Sequence, residues 1–554
     1  MSAGGKTRLL AAWLSVLLWA GTAGALDLAG PTVGADVLHG RGYDGGGVEV
    51  GVVDLFQADG THPALSGNYL GGLKFAVGGE WLDSHATEVA GCVASTDSTY
   101  PGIAPAAGFW TAQTTKRSVQ TTVRNQTRAA ETLAQGLDIL NGNPAEVITL
   151  SIGLAGDTTA ADQWSLALDH VVHTNGLTVT IAAGNSGPAS NTIDGRPAGA
   201  YNAIVVGATG GTGGSASEDY SNIVYFSSRG PSDDGRAKPD IVAPGSIIHM
   251  PTLGGAWTDA NGTSFATPIV AGGAALLIDM GRSLGHSTDP KVIKSVLLNS
   301  ADKLAGWSNT PTRPLDHAQG AGQMDLAEAW RQYAFEEKTP GTTTGIGWDL
   351  GDVGYGQVRA YPLDLNLPAG AVLAATLAWD RVVTTDTEDI DDVVYALDHL
   401  DNLDLRLVRD DQPGVPAAES ISAIDNVEHV YYAIQAAGKY SLHVVFNGGA
   451  PGDGETYGLS WRALPAAGLD FAGDANLDGT VDLADLSLLA FGFEQTDKTW
   501  FEGDFSGDGA VDLADLSMLA YHWGQNRPAA PVPAPSALAV LAGGGLAILR
   551  RRHA

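Results

Sequence analysis

The chain has a single cysteine among its 554 residues, so it cannot form an intrachain disulfide. Cys92 lies among small apolar residues at positions 90–94, a setting typical of a buried structural thiol. Basic residues are also scarce, since 30 Lys and Arg stand against 62 Asp and Glu and give a formal charge of -32. This balance argues against nucleic acid and anionic membrane surfaces as partners. The excess of acidic residues favours solubility and cation binding instead.

Apolar runs long enough to span a bilayer comfortably are missing from both ends of the chain. At the N-terminus, Lys6 and Arg8 precede an apolar run over residues 9–20 and the small-residue site Ala23-Gly24-Ala25. This layout predicts a cleavable secretory signal over residues 1–25, with the exported chain beginning near Leu26. We therefore expect a secreted or cell-surface protein. An uncleaved membrane anchor is the alternative.

A chain of this length predicts several domains, and a hydrophobic content of 44% can supply a sizeable core. Within it, residues 261–268 place one hydroxyl, that of Ser264, where a loop turns into an apolar helix. Backbone N–H groups and the positive end of the helix dipole suit an oxyanion at such a position. Ser264 is therefore a candidate nucleophile. Taken alone, the segment also fits an ordinary Ser/Thr helix cap.

Two upstream residues complete a catalytic set with Ser264. Asp54 ends the apolar strand pattern of residues 48–53, and His85 lies where a loop enters a small-residue helix. A serine hydroxyl needs a base within hydrogen-bonding reach, and the base needs a partner that fixes its tautomer. The order Asp, His, Ser is one of the three chain orders in which such triads occur. The pattern predicts His85 as the base and Asp54 as its orienting group.

Several segments between these three residues match the motifs of one protein family, in the same order. The segments are residues 102–105, 148–153, 182–185, 203–208, 226–231 and 238–245. On these motifs, the region 26–335 resembles a subtilisin-like serine protease, or subtilase. The resemblance implies an α/β fold with a parallel sheet flanked by helices. Alternating strand and helix patterns, such as residues 177–183 and 128–140, are consistent with it. The implied activity is peptide-bond hydrolysis through an acyl-enzyme on Ser264.

The same resemblance implies further site residues. Asn185 matches the amide that stabilises the oxyanion, and the segment Ser151, Ile152 and Gly153 would bind an extended substrate strand. Ala183 and Gly184 would line the pocket for the substrate side chain before the cleaved bond. Without the resemblance, Asn185 fits a turn, and residues 151–153 fit an ordinary strand end.

The chain departs from the family pattern beside two triad residues. Leu55 and Phe56 stand where the family usually has Thr or Ser followed by Gly, and Ala86 stands where it usually has Gly. A misplacement of about 1 Å can cost roughly 10² in rate. The alternative function is therefore a catalytically degenerate, peptide-binding or assembly protein.

Beyond the protease-like region, residues 338–464 change to short alternating strands with polar turns, which predicts a β-sandwich domain. The segments 376–380 and 402–405 resemble the C-terminal sandwich of some subtilases. Such a domain would stabilise the catalytic domain or shape access of substrate. Carbohydrate or protein binding is the alternative.

Residues 470–525 contain a duplicated acidic loop followed by an apolar helix. The spacing is that of an EF-hand calcium loop with Asp in place of the last Glu, so it predicts Ca²⁺ as cofactor. The predicted ligands are Asp474, Asn476, Asp478, Thr480, Asp482 and Asp485, and Asp504, Ser506, Asp508, Ala510, Asp512 and Asp515. The pair resembles a type I dockerin, a small α-helical module, which implies a cohesin-like partner. A solvated acidic turn is the alternative.

The tail consists of a Pro/Ala linker at residues 526–535 and a segment at 536–554 that joins an apolar run to three arginines. It resembles a PEP-CTERM sorting signal, which implies a membrane-bound sorting enzyme as partner. Pro533-Ala534-Pro535 lacks the usual glutamate. A plain membrane tail is the alternative.

Overall fold

The computed structural model describes residues 25–75, 81–114, 125, 128–129, 145–153, 156–211, 216–385, 394–448, 454–466 and 471–526. The predicted signal peptide up to residue 24, most of the predicted helix at 128–140, and the tail from residue 527 lie outside the described residues. Those three interpretations stay predictions.

The first part of the chain folds around a seven-stranded sheet in the order β2-β3-β1-β4-β5-β6-β7. Every neighbouring pair is parallel. The predicted parallel sheet is therefore confirmed. The strands are β1 Glu49–Asp54, β2 Tyr69–Lys74, β3 Gly108–Gln113, β4 Val147–Leu150, β5 Thr178–Ala182, β6 Ile204–Thr209 and β7 Ile241–Pro244.

Helices cover both faces of this sheet. Successive strand residues point to opposite faces, and accordingly Ile204 and Val206 join one apolar cluster whereas Val205 joins the other. The described helices of this part are α1 Ala25–Thr32, α2 Ala35–His39, α3 Ser84–Ala94, α4 Gln163–Asn175, α5 Thr263–Leu284, α6 Pro290–Ser300 and α7 Leu326–Tyr333.

Helix α5 is the central helix of the first cluster, which also includes residues of α3 and α6. Its length and composition would allow it to cross a membrane, but 89% of its most apolar stretch is buried inside the protein. We therefore assign it to the core. An antiparallel hairpin, β8 Ile248–Thr252 and β9 Ala256–Ala260, directly precedes it.

The second part contains two four-stranded antiparallel sheets, ordered β10-β19-β12-β17 and β11-β18-β15-β16, and a short hairpin of β13 and β14. Their inward residues share one apolar cluster, an arrangement consistent with the predicted β-sandwich. The strands are β10 Ile346–Gly354, β11 Val358–Leu367, β12 Ala371–Trp379, β13 Val382–Thr385, β14 Tyr395–His399, β15 Asn402–Arg409, β16 Pro416–Ser420, β17 Val427–Ala433, β18 Gly438–Gly448 and β19 Gly454–Pro465.

A buried polar contact joins the sandwich to the first part. The Arg381 guanidinium pairs with Asp169 of α4, and its Nη1 donates to the Ala160 carbonyl at 3.0 Å. The Arg381 backbone N–H donates to Asn202 Oδ1 at 2.7 Å. Both charged side chains are almost fully buried, at 4% and 0% exposure. The two parts are therefore held at an interface from which water is excluded.

The duplicated segment folds into two helices, α8 Leu483–Gly492 and α9 Leu513–His522, with a 3₁₀ turn at Trp500–Glu502 between them. Leu489 and Leu519, one from each helix, share a small apolar cluster with residues of both loops. The segment also contacts the rest of the protein, since Lys338 pairs with Asp497. It forms a small helical unit, as predicted.

Candidate active site

The carboxyl ends of three adjacent strands meet at one edge of the sheet. Asp54 ends β1, Ser151 directly follows β4, and Asn185 lies three residues after β5. Strand β4 pairs with β1 on one side and with β5 on the other. Helix α5 begins at this same edge and brings Ser264, as the hydrogen bonds below show. In open parallel sheets this is the edge at which ligands bind.

Asp54 and His85 form a close pair. His85 Nδ1 lies 2.7 Å from Asp54 Oδ2, and the carboxylate is buried at 2% exposure. Its other oxygen accepts the Leu55 backbone N–H at 2.6 Å. His85 is the second residue of α3, so the helix start fixes where the ring enters the site. The geometry leaves Nε2 as the nitrogen that can exchange a proton.

Opposing effects act on the His85 imidazole. Burial acts to lower its pKa, but the hydrogen bond and charge of Asp54, with the charges of Glu88 and Asp83, outweigh burial, so the pKa is raised. The positive end of the α3 dipole also opposes protonation of a side chain in the first helical turn. In the structure the carboxylates dominate. The site therefore favours the imidazolium that a base-catalysed step would produce.

Ser264 lies in the first turn of α5, directly after Thr263, and is partly exposed. Its Oγ donates to the Ser151 carbonyl at 3.3 Å, and Ser151 Oγ donates to the Ser264 carbonyl at 2.7 Å. The Phe265 ring lies 5.8 Å from the His85 ring, centroid to centroid. The start of α5 is thus joined to the end of β4, with His85 beside it. Hydrogen bonds between a nucleophile and its base are often long or poorly aligned before substrate binds.

The exposed side chain of Asn185 is held by its carbonyl oxygen. Asn185 Oδ1 accepts the Thr263 backbone N–H at 2.9 Å and the Thr263 hydroxyl at 3.2 Å. That hydroxyl also accepts the Gly184 N–H at 3.2 Å. These contacts leave the amide nitrogen Nδ2 as the donor of the side chain. A Cβ placed on Gly262 would lie 3.7 Å from Nδ2, so this donor lies beside the loop that carries the hydroxyl.

The structure adds a residue that the sequence reasoning missed. Asp194 Oδ2 accepts the Asn185 backbone N–H at 3.0 Å, and Oδ1 accepts the Ser186 hydroxyl at 2.7 Å. Its own N–H donates to the Ala183 carbonyl at 2.8 Å. A Cβ on Gly184, whose φ is +106°, would lie 2.2 Å from the Asp194 Cβ. Asp194 therefore fixes the whole turn that presents Asn185.

The predicted substrate-binding residues differ in exposure. Ser151 is buried, Ile152 is half-buried and Gly153 is exposed. A Cβ on Gly153 would lie 3.2 Å from the Asp194 carbonyl, so this glycine also makes room for the backbone of residue 194. Ala183 needs a correction, because it is fully buried in an apolar cluster and offers no surface to a pocket. Gly184 is buried as well.

The departures from the family pattern coexist with a formed Asp54–His85 pair. Leu55 contributes through its backbone N–H, which donates to Asp54, so this contact does not depend on the side chain. The Phe56 ring packs against Trp81 at 6.2 Å between centroids. Ala86 is fully buried in the core of α3. None of the three replaces or blocks the hydrogen bond between the Asp54 carboxylate and the His85 imidazole.

The two acidic loops share several internal hydrogen bonds. In the second loop, Asp504 accepts the Gly509 N–H at 2.9 Å and Asp515 accepts the Ser506 N–H at 2.7 Å. In the first loop, Asp474 accepts the Gly479 N–H at 2.9 Å. Gly479 and Gly509, at position six, have φ of +89° and +80° and so adopt the left-handed conformation that glycine favours.

The donor set of these loops fits calcium, because its ligand atoms are oxygens and several of them belong to buried carboxylates. Asp474, Asp485 and Asp515 are fully buried. Burial raises the pKa of Asp504 to about 6 and also raises the pKa of Asp485. A divalent cation would offset the free-energy cost of burying these carboxylates. Asp482, at position nine, also caps α8 by accepting the Ala484 N–H at 2.8 Å.

Known proteins are similar to the region of the chain that carries this site. A profile of the subtilase family (Peptidase_S8) matches residues 45–322. The chain is 34% identical to subtilisin BL of Lederbergia lenta, over 52% of this chain and 96% of that protein. It is 32% identical to subtilisin DY of Bacillus licheniformis, over 49% and 91%. It is 33% identical to pyrolysin of Pyrococcus furiosus over 41% of this chain, but spans only 18% of that longer protein.

Proposed function

This chain belongs to the subtilase family and is a serine endopeptidase, and from that premise we propose that Ser264, His85 and Asp54 are its catalytic triad. The observation that carries this assignment is the Asp54–His85 hydrogen bond of 2.7 Å beside the helix start that bears Ser264. The substrates of the family are proteins and peptides. The proposed reaction is hydrolysis of a peptide bond through an acyl-enzyme.

In the proposed mechanism, the Ser264 hydroxyl turns from the Ser151 carbonyl toward His85 Nε2, which takes its proton as Oγ attacks the substrate carbonyl carbon. Asp54 holds the ring and stabilises the imidazolium. The imidazolium then protonates the leaving amine, which departs and leaves an ester on Ser264. Water, deprotonated by His85, attacks this ester; the acid product is released as the imidazolium returns the proton to Ser264 Oγ. The raised pKa of His85 supports its role as proton carrier.

Asn185 is the proposed oxyanion donor, through Nδ2, together with backbone N–H groups at the start of α5. Its carbonyl is bonded to Thr263, so the amide is oriented before substrate binds, and such preorganisation is where electrostatic catalysis gains most. In subtilisin, loss of the oxyanion-hole asparagine costs roughly 10²–10³ in kcat. For substrate binding we propose Ser151, Ile152 and Gly153, of which Gly153 is the exposed member.

The assignment is tested by comparing hydrolysis of an unfolded protein by the full chain and by Ser264→Ala. In subtilisin, removal of the nucleophile lowers kcat by roughly 10⁶, and a loss of at least about 10⁴ is expected here. Ser287→Ala is a matched control, because this serine lies past the end of α5. A folded native chain with no activity on any of several protein substrates would favour a degenerate, peptide-binding function, to which the residues at 55, 56 and 86 would then contribute.

We further propose that residues 26–335 form the catalytic domain, residues 338–464 the sandwich domain and residues 470–525 a dockerin-like module. For the sandwich we propose a stabilising role, supported by the buried Arg381–Asp169 pair. The module would hold two Ca²⁺ ions in its duplicated loops. Its stability in calcium and in chelator, followed by helical circular dichroism, tests this assignment.

A cohesin-like protein is the proposed partner of the module. Large apolar side chains are exposed at equivalent positions of the two helices, 30 residues apart, as a protein-binding surface would require. They are Leu483 and Leu513, at 67% and 69% exposure, and Phe491 and Tyr521, at 81% and 77%. We also propose that residues 1–25 are a signal for export. Residues 526–535 would form a linker, and a sorting enzyme would act on residues 536–554.

A further inference from the structure

Three potential metal ligands converge in the sandwich, far along the chain from the triad. His399 ends β14, Asp401 lies in the two-residue link to β15, and Glu455 is the second residue of β19. One donor atom from each side chain lies within 4.8 Å of the other two. Among the residues that the structure describes, no other group of three His, Cys, Asp or Glu side chains brings its donor atoms this close together.

The two carboxylates of this group are withdrawn from water. Asp401 and Glu455 are 3% and 7% exposed, and their side chains lie within hydrogen-bonding reach of each other. Two buried carboxylates in contact require a proton or a cation between them. The Lys291 ammonium nearby is already bonded to other carboxylates, Asp289 at 3.1 Å and Asp380 at 3.4 Å. The local balance therefore favours an additional positive charge.

Surrounding contacts fix the backbone that carries these groups. The Trp379 indole Nε1 donates to the Asp401 carbonyl at 2.8 Å. Glu455 pairs with Val353 in the ladder between β19 and β10. His399 Nδ1 lies 3.2 Å from the Asp398 carboxylate, a contact of the kind that orients a metal-binding imidazole. Side chains on such fixed supports can converge on one ion without refolding of the backbone.

We propose that His399, Asp401 and Glu455 bind one divalent transition-metal ion of the zinc class, with water at the remaining position. One imidazole nitrogen and two carboxylate oxygens suit zinc, whereas calcium prefers oxygen ligands alone. Ligands on a tetrahedral zinc ion lie about 3.3 Å apart, because each bond is about 2.0–2.1 Å long. Donors within 4.8 Å reach that spacing by small side-chain rotations.

The ion would fasten the β14–β15 link to the start of β19 at the boundary with the catalytic part. The negative charge of Asp380 acts on Glu455. Asp380 also bonds Lys291 of α6 and, at 3.2 Å, His173 of α4. A cation at the site would therefore stabilise the sandwich where it contacts the protease. The assignment does not depend on which residues perform catalysis.

The test is a calorimetric titration of Zn²⁺ into the full chain, first stripped with chelator and then saturated with Ca²⁺ so that the acidic loops are filled. His399→Ala and Glu455→Gln remove one ligand each. His249→Ala is the matched control, because His249 also pairs with an aspartate, Asp259, but lies on the β8–β9 hairpin. Zinc-edge anomalous scattering from crystals of the loaded protein would locate the ion.

The expected result is one zinc site per chain, equal in wild type and His249→Ala. Affinity should fall by at least roughly tenfold in His399→Ala, and the zinc-dependent rise in melting temperature should disappear. The His399 side chain is 30% exposed, so this variant is expected to fold even if Glu455→Gln does not. Absence of a zinc site in the wild type, or unchanged affinity in His399→Ala, would overturn the proposal.

Discussion

Replacement of Asp194 by Ala should slow catalysis without removing any group that touches substrate. The carboxylate accepts the Asn185 N–H at 3.0 Å and the Ser186 hydroxyl at 2.7 Å. Hydrogen bonds to a charged acceptor contribute about 1.5–3 kcal/mol each. Without them, the turn from Gly184 to Ser186 is held less firmly, and the Asn185 side chain is oriented by its contacts with Thr263 alone.

Complete loss of the Asn185 amide, which should lower kcat by roughly 10²–10³, sets the upper limit of the effect of Asp194→Ala. Because the Thr263 contacts to Asn185 remain, we expect Asp194→Ala to lower kcat by about 10–100-fold, with KM changed less than about threefold. Asp194→Asn keeps one acceptor oxygen and should lose less. Steady-state kinetics with a peptide substrate would measure both constants.

Asp219→Ala is the matched control, because Asp219 also accepts a serine N–H and hydroxyl two residues on, at 3.1 and 2.6 Å. It should leave kcat within about twofold of wild type. A double-mutant cycle with Asn185→Ala isolates the mechanism. If Asp194 acts through Asn185, its replacement has little further effect in the Asn185→Ala background. An equal loss in both backgrounds would refute this reasoning.

Three other perturbations have defined outcomes. Asp54→Asn should lower kcat by roughly 10⁴ and move the acid limb of kcat/KM to lower pH, because the carboxylate raises the pKa of His85, which must be neutral to act as base. Chelation of Ca²⁺ should reduce the helical circular dichroism of α8 and α9, because the buried Asp504 carboxylate would then have no cation beside it. Arg381→Ala should cost about 3–5 kcal/mol of unfolding free energy, since it leaves the buried Asp169 carboxylate without the guanidinium that balances its charge.

Each of these outcomes has a contrary result. For the native enzyme, activity should decline as pH falls through the raised pKa of His85; an acid limb that stays in place in Asp54→Asn would exclude this coupling. Circular dichroism that is insensitive to chelator would contradict calcium binding. A loss below about 1 kcal/mol in denaturant unfolding of Arg381→Ala would mean that the interface relaxes around Asp169.

The parallel sheet could be predicted from the sequence, and so could the places of Asp54 at a strand end and Ser264 at a helix start, because these features depend on local patterns. Asp54 ends an apolar strand and Ser264 opens an apolar helix, and strand ends of a parallel sheet meet at one edge. The sandwich and the helical module were also predictable from short strands and duplicated loops. In each case the pattern lies within a few consecutive residues.

Features that depend on distant partners could not be predicted in this way. Asp194 lies in a loop with no motif, and only the fold places its carboxylate against Asn185. The ligand group in the sandwich joins residues 399 and 455 from separate strands. Ala183 was assigned to the pocket from its position in a motif, yet its burial depends on neighbouring elements. The Ser264–Ser151 hydrogen bonds also required the docked helix.

Treatment of the full chain with a fluorophosphonate, followed by mass spectrometry of its peptides, tests the proposed nucleophile most directly. The reagent reacts with a serine whose hydroxyl is activated by a base and whose oxyanion site is formed. We predict one adduct, on Ser264, that is absent in Ser264→Ala and strongly reduced in His85→Ala. A folded, calcium-saturated chain that remains unlabelled, or labels at another serine, would contradict the assignment of Ser264, His85 and Asp54 as the triad.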